Sequence, residues 1–203
     1  MMIYLTRHGQ TEWNLAGRMQ GRKNSSLTSL GEQQAEWLGE RLVDVPFSKI
    51  ISSSSGRTKQ TAEKIRGNRK LDIIEKDEWR EIHMGDWEGQ LKEEILEQDG
   101  DAFRRFWEEP HTYITERGES FEDLIERVGN EIEKLASTKS PVLVVTHAVV
   151  LKGLLAYFRK KSIEDFWTGA FMHATALTIV EKQGDEWNVV LEGDTSHHKE
   201  VSS

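Results

Sequence analysis

An α/β fold built on an open sheet is what this sequence predicts, and three observations predict it. Three short, β-prone apolar runs occur far apart in the chain: Met2-Ile3-Tyr4-Leu5-Thr6, Ile50-Ile51-Ser52-Ser53-Ser54 and Val142-Leu143-Val144-Val145-Thr146. Helical patterns separate them, the clearest being the stripe of Phe121, Leu124, Ile125, Val128, Ile132 and Leu135. Each run is closed by residues with chemistry: Arg7-His8-Gly9 after the first, Gly56-Arg57 after the second, His147 after the third. Open α/β sheets hold their ligands at the carboxyl ends of strands, which is where these two histidines and two arginines fall.

The first strand runs into a cation, an imidazole and a glycine, a trio for which a purely core-filling strand has no use. Residues 10–21 read as a polar loop with short helical pieces, in which Asn14 suits a turn cap and Gly21 an ordinary turn. Ser29 with Glu32 three residues later fits a capping box, and Leu30, Leu38 and Leu42 share one face of the helix that follows. The second strand must end among the serines after Ile51, because four serines make a poor strand interior. A helix then opens at Gly56-Arg57 and runs through Ile65. An arginine in a first helical turn aims with the free amides at an anion, although a solvated surface arginine is the ordinary outcome.

Residues 71–74 form a short third strand leading to Trp79-Arg80-Glu81-Ile82-His83-Met84-Gly85-Asp86-Trp87-Glu88-Gly89. From Gln90 to Arg117 the composition turns to acids, then Phe103, Phe106 and Trp107, then Pro110, which predicts two short helices inserted over the strand ends. Ser120 with Asp123 caps the next helix. Residues 142–146 are the central buried strand, and residues 149–158 the helix behind it. Residues 176–181 and 187–192 pair as a hairpin through Gln183-Gly184-Asp185, and His197-His198 reads as a mobile terminus with no metal role.

A single histidine after a strand is ordinarily structural or a surface residue. Two of them, with arginines beside them, ask for one shared ligand. Zinc is a candidate, since paired histidines are common zinc ligands. Arg7 argues against it, because a permanent cation beside His8 repels a metal ion. The same guanidinium fork fits the oxygens of a phosphate.

Composition narrows the classes further. A length of 203 residues suggests one domain, 1–203, with an insert at roughly 88–119. The absence of cysteine excludes disulfides, thiolate catalysis and Cys-based metal sites. A net charge of −8 without a basic stripe excludes nucleic acid, and it requires any anionic ligand to be held by a local positive patch. The opening apolar run is broken by Arg7 and His8, too early for a signal peptide or membrane span. A cytoplasmic protein with no membrane partner is expected.

Together, Thr6-Arg7-His8-Gly9, Asn14, Ser54-x-x-Arg57-x-x-x-Thr61-Ala62, Glu81 and Thr146-His147 resemble the histidine phosphatase superfamily, the phosphoglycerate mutase-like proteins. The resemblance covers nearly the whole chain. It implies a three-layer α/β/α sandwich with a mainly parallel sheet and a small helical lid insertion. It implies that neutral His8 attacks phosphorus to form a phosphohistidine, with its other ring nitrogen held by a backbone carbonyl near Gly9. Arg7, Arg57 and His147, helped by Asn14, then neutralise the phosphoryl charge, and Glu81 is the proton donor to the leaving oxygen. Gln20 and Gly21 stand in the loop where relatives add ligand contacts. Ala148 replaces a glycine that many relatives carry and leaves a backbone amide available. No cofactor or metal is needed, and the partner is a small phosphate ester.

Within the family, the compact acidic and aromatic insert favours a broad-specificity phosphomonoesterase. The chain resembles the broad-specificity bacterial phosphatases also at Trp107-x-x-Pro110-His111, Arg117-Gly118-Glu119 and Glu192-Gly193-Asp194-x-Ser196-His197. Lys92 and Arg104-Arg105 imitate parts of a mutase's tandem-arginine clamp, so phosphoglycerate mutase is the alternative. Narrower alternatives are fructose-2,6-bisphosphatase-like and alpha-ribazole-phosphatase-like enzymes, and, from another class, a catalytically silent phospho-ligand sensor.

Overall fold

The computed structural model describes residues 1–200. Six strands make one sheet: β1 (Met2–Arg7), β2 (Lys49–Ser53), β3 (Ile73–Lys76), β4 (Val142–Thr146), β5 (Leu177–Gln183) and β6 (Glu186–Asp194). Their order in space is β3-β2-β4-β1-β5-β6. The β3-β2-β4-β1 block is parallel, and β5 and β6 complete the sheet as an antiparallel hairpin. The helices are α1 (Glu12–Leu15), α2 (Ser29–Arg41), α3 (Gly56–Arg66), α4 (Lys92–Glu108), α5 (Phe121–Leu135) and α6 (Ala148–Arg159).

Alternation along the strands builds the three layers. Ile50, Leu143, Val145 and Leu177 face Ala35 and Leu38 of α2 and Ala62 and Ile65 of α3. Their neighbours Ile51, Val142 and Val144, with Ile3 and Leu5, face Leu124, Val128 and Ile132 of α5 and Val150, Leu151 and Leu154 of α6. Each such side chain withdrawn from water contributes roughly 1.5–3 kcal/mol, so both faces are strongly held and the register cannot slip. That register positions the site. Leu5 lies opposite Val144 and Arg7 opposite Thr146, so His8 and His147 leave the sheet side by side. Ser52 lies opposite Val145, which brings Ser53 to the same edge.

Several sequence expectations need correction. The cap of α2 is Thr28, whose hydroxyl accepts from the Gly31 N–H at 2.9 Å, one residue before the expected Ser29. Glu32 is turned away to Lys64 of α3, at 2.8 Å, so no capping box forms. Ser52 and Ser53 belong to β2 because their hydroxyls find partners, Ser52 donating to the Ser53 carbonyl at 2.8 Å and Ser53 Oγ lying 2.9 Å from His147 Nε2. β3 sits two residues later than expected, at 73–76, an edge strand paired only with β2. The insert, by contrast, does hold the two short helices expected, the two pieces of α4 that meet at a kink at Asp99 (φ −144°, ψ 44°), followed by a 3-10 turn at Pro110–Thr112. His197 and His198 are packed down, both rings against the Thr175 hydroxyl. Among the described residues no helix is long and apolar enough to cross a membrane.

Candidate active site

Four strand ends converge. Arg7 closes β1 and His8 follows it; Arg57 lies in the first turn of α3 after β2; Glu81 follows β3; His147 closes β4 as the N-cap of α6. They surround a cavity of about 370 Å³ lined by Arg7, His8, Asn14, Gln20, Gly21, Arg57, Glu81 and Ala148, with His147 behind its surface.

His8 is almost wholly buried, and its Nδ1 lies 2.7 Å from the Gly9 carbonyl. A carbonyl only accepts, so Nδ1 carries the proton. Burial, then the charges of Arg57 and Arg7, hold the imidazole well below its ordinary pKa. A neutral ring protonated at Nδ1 leaves a lone pair on Nε2. The Gly9 N–H donates to Thr61 Oγ1 at 3.0 Å, which fixes the glycine that fixes the ring.

Arg57 is fully buried and meets no carboxylate among the described residues. Its Nη1 donates to the Lys23 carbonyl at 2.6 Å, and its Nη2 to the Gly21 carbonyl at 2.8 Å and to His147 Nδ1 at 3.0 Å. Arg7 Nη1 donates to the Met172 carbonyl at 2.8 Å. Burial lowers both guanidinium pKa values, that of Arg57 to about 10, so both stay charged at neutral pH. Nε of each is buried with no partner among the described residues. Two cations held by neutral atoms, with a spare donor each, make a positive socket in an acidic protein.

Both ring nitrogens of His147 have partners within the protein. Arginine always donates, so His147 Nδ1 is the acceptor and Nε2, 2.9 Å from Ser53 Oγ, carries the proton. Burial, then Arg57 and His8, keep this ring neutral. Glu81 accepts from the amides of Ile82 (3.0 Å), Val149 (3.3 Å) and Val150 (3.3 Å), the last two in the first turn of α6. Burial outweighs these donors and the nearby arginines and raises its pKa.

The loop contacts also sort themselves. Asn14 Oδ1 accepts from the Thr11 N–H and hydroxyl, each at 3.1 Å, so it completes the capping box of α1 while lining the cavity. Gln20 donates to Thr11 Oγ1 at 2.8 Å, which spends its amide NH2 within the loop. Gly21 serves through its carbonyl on Arg57; at φ +49°, with Glu88 against its Cα, it admits no side chain.

The family model for the histidine phosphatase superfamily, branch 1, matches residues 3–195. The chain belongs to that superfamily. Phosphoserine phosphatase 1 of Hydrogenobacter thermophilus is 31% identical over 198 residues, 97% of this chain and 93% of the relative. The solved structure of Bacillus stearothermophilus YhfR superposes with a TM-score of 0.94 at 43% identity, covering 97% of this chain and 98% of that one. A probable phosphoglycerate mutase, GpmB of Serratia proteamaculans, is 32% identical over 77% of this chain and 74% of its own. The chain is thus an enzyme of the phosphatase type acting on small phosphorylated substrates, with mutase-named relatives at similar distance.

Of the outer part of this histidine phosphatase cavity, only Lys92 and Trp107 were singled out in the sequence. Lys152, Trp167, Phe171 and Met172 line it, together with Arg18, Met19, Met84, Lys92 and Trp107. Trp107 and Trp167 stack with centroids 4.6 Å apart. Lys152 had a signal: it is a cation in the middle of an apolar helix whose other cation, Arg159, stands at its end, and its Nζ donates to the carbonyls of Trp167 (3.2 Å) and Thr168 (3.1 Å). Arg104 and Arg105 do not reach the cavity; Arg104 pairs with Glu109 at 2.6 Å on the surface.

Proposed function

We propose that this chain is a phosphomonoesterase acting through a phosphohistidine on His8, with arginines in place of a metal ion. The observation that carries the reading is a neutral His8, protonated at Nδ1 by its bond to Gly9, beside two buried guanidiniums without carboxylate partners. Nε2 attacks phosphorus in line with the leaving oxygen. The N–P bond forms as the P–O bond breaks, and charge spreads over the equatorial oxygens. Arg7 and Arg57 meet that charge at no reorganisation cost, because backbone carbonyls already hold them. Asn14 adds its NH2 group, and His147 acts through Arg57, keeping one edge of the guanidinium fixed. Glu81, its pKa raised by burial, gives the leaving oxygen a proton. The resulting carboxylate takes a proton from the water that attacks the phosphohistidine, releasing inorganic phosphate and restoring His8.

Hydrolysis is favoured over mutase transfer because Arg104 and Arg105 are outside the cavity, leaving Lys92 alone of the expected clamp. The wall of Trp107, Trp167, Phe171 and methionines suits varied leaving groups and supports broad specificity, with α4 as the lid. Lys92 and the mutase-named relative keep phosphoglycerate mutase as the second reading. Purified protein should hydrolyse an aryl phosphate in excess chelator, and acid-labile, base-stable phosphate should be trapped on His8. His8→Ala should remove turnover and trapped phosphate together. Metal-dependent turnover, phosphate on another residue, transfer between phosphoglycerates outpacing hydrolysis, or binding without turnover would each replace this reading.

A further inference from the structure

Thr175 occupies the corner where the cavity wall turns into β5. It is fully buried and has φ +51°, a left-handed conformation that a β-branched residue resists. Its N–H donates to the carbonyl of His8 at 3.3 Å, while the His8 N–H donates to the Thr146 carbonyl at 3.0 Å. The nucleophile's backbone is therefore held from both sides, by β4 and by this corner. Three residues before the corner, the Met172 carbonyl accepts from Arg7 at 2.8 Å. One short turn thus touches both Arg7 and His8.

Something must keep Thr175 in a conformation it would not choose. Its Oγ1 lies 3.1 Å from His197 Nε2 and 2.9 Å from His198 Nε2. The two rings meet edge to face, 4.7 Å apart. The segment carrying them is anchored on α2, where Arg41 donates to Asp194 and, at 2.7 Å, to Ser196, and where Trp37 lies beside His198. None of Thr175, His197 and His198 lines the catalytic cavity.

We propose that His197 and His198, acting through the Thr175 hydroxyl, are positioning residues for Arg7 and His8. The segment after β6 is a brace: two imidazoles hold a strained corner, and the corner holds the catalytic pair. The brace rests on the reading of His8 as nucleophile, but its effect on Arg7 has a readout that needs no turnover.

Three proteins are compared, each first checked for fold by circular dichroism: wild type, His197→Ala/His198→Ala, and the same double variant carrying Thr175→Gly. The rate of His8 phosphorylation by an aryl phosphate is measured in single turnover, and inorganic phosphate binding by calorimetry. The double variant should phosphorylate about 10- to 10²-fold more slowly, the upper figure being the cost of a misplacement of about 1 Å. Its affinity for inorganic phosphate should fall as well. Thr175→Gly should restore most of both, since glycine takes φ near +51° without help. A folded double variant with wild-type rate and affinity but a lower melting temperature overturns the brace, and so does a loss that Thr175→Gly leaves unrepaired. If the double variant does not fold, Thr175→Ser and Thr175→Val decide: Ser keeps the hydroxyl and should keep the rate, Val should lose it, and equal rates overturn the proposal. A wild type that never phosphorylates His8 rejects the nucleophile, while phosphate affinity still judges the brace.

Discussion

The two ends of the cavity are built on opposite plans. At the strand ends, charged side chains are buried and tied to backbone carbonyls or a neutral imidazole: Arg57 to Lys23, Gly21 and His147, Arg7 to Met172. Along the outer wall, Trp107, Trp167, Phe171, Met19, Met84 and Met172 offer apolar surface, and Phe171 is 67% exposed. The first end holds permanent charge without cancelling it, since a carbonyl fixes a guanidinium but leaves its net charge for the ligand. The second end is apolar and uncharged, with unbranched thioethers and, at Phe171, an exposed ring that can adapt to what it meets. One end is suited to a constant group and the other to a variable one.

The sharpest test of this contrast is Arg57→Ala, which should lower the phosphorylation rate about 10²–10³-fold for every substrate alike, the cost of removing a preorganised donor to developing charge. Arg57→Lys should rescue little, because the ammonium cannot serve Lys23, Gly21 and His147 together. A loss that depended on the leaving group would erase the distinction between the ends.

Glu81 stands between them, and Glu81→Gln should divide substrates by chemistry. Alkyl phosphates, whose alkoxide needs a proton, should slow by about 10²-fold or more in single turnover, whereas nitrophenyl phosphate should slow little. Equal slowing would make Glu81 structural.

Acidity offers a gentler probe. Burial lowers the pKa of His8 and raises that of Glu81, and both shifts widen the pH range in which a neutral imidazole and a protonated carboxyl coexist. Phosphorylation measured against pH should peak there, and Glu81→Gln should remove the alkaline limb. Stability runs the other way. The buried neutral histidines His8, His147 and His197, the last with a pKa of about 4, bind fewer protons folded than unfolded. Stability should therefore fall as pH drops through the unfolded value near 6.5. A melting temperature flat between pH 7 and 5 would contradict these burials.

The smallest effect belongs to the wall. Phe171→Ala should change KM a few-fold, in a direction that differs between bulky and compact leaving groups, with saturating phosphorylation nearly unchanged. A uniform drop in rate would mean that the wall is as fixed as the socket.

What the sequence disclosed follows the same division. Arg7, His8 and His147 were legible because each stands at the end of an apolar run, a local pattern, whereas Arg57, beyond a run of serines, took its role from the family resemblance. Ser53 was misjudged because a serine suits a buried strand only when its hydroxyl has a partner, here His147, contributed from 94 positions away. The wall at Trp167 to Met172 lies outside the regular elements. It is held through backbone groups by Lys152, Glu192 and Arg7, and nothing local announces such tethers. His197 and His198 looked like a free end for the same reason, their shared partner lying across the sheet's end.

The long separations in the socket have a consequence for assembly. Arg57 meets His147 across 90 positions and Arg7 meets Met172 across 165. No contiguous fragment shorter than most of the chain contains the anion site, so it comes into being only when β1, β2 and β4 have joined. Such distant pairings form late and slowly. An oxyanion such as inorganic phosphate then binds the finished molecule and nothing before it. It should stabilise the folded state by mass action, by about 2.7 kcal/mol at a hundredfold excess over its dissociation constant, and so raise the melting temperature. Recovery of catalysis after denaturation would thus report completion of the sheet itself, and added phosphate would slow unfolding without hastening the early steps of folding.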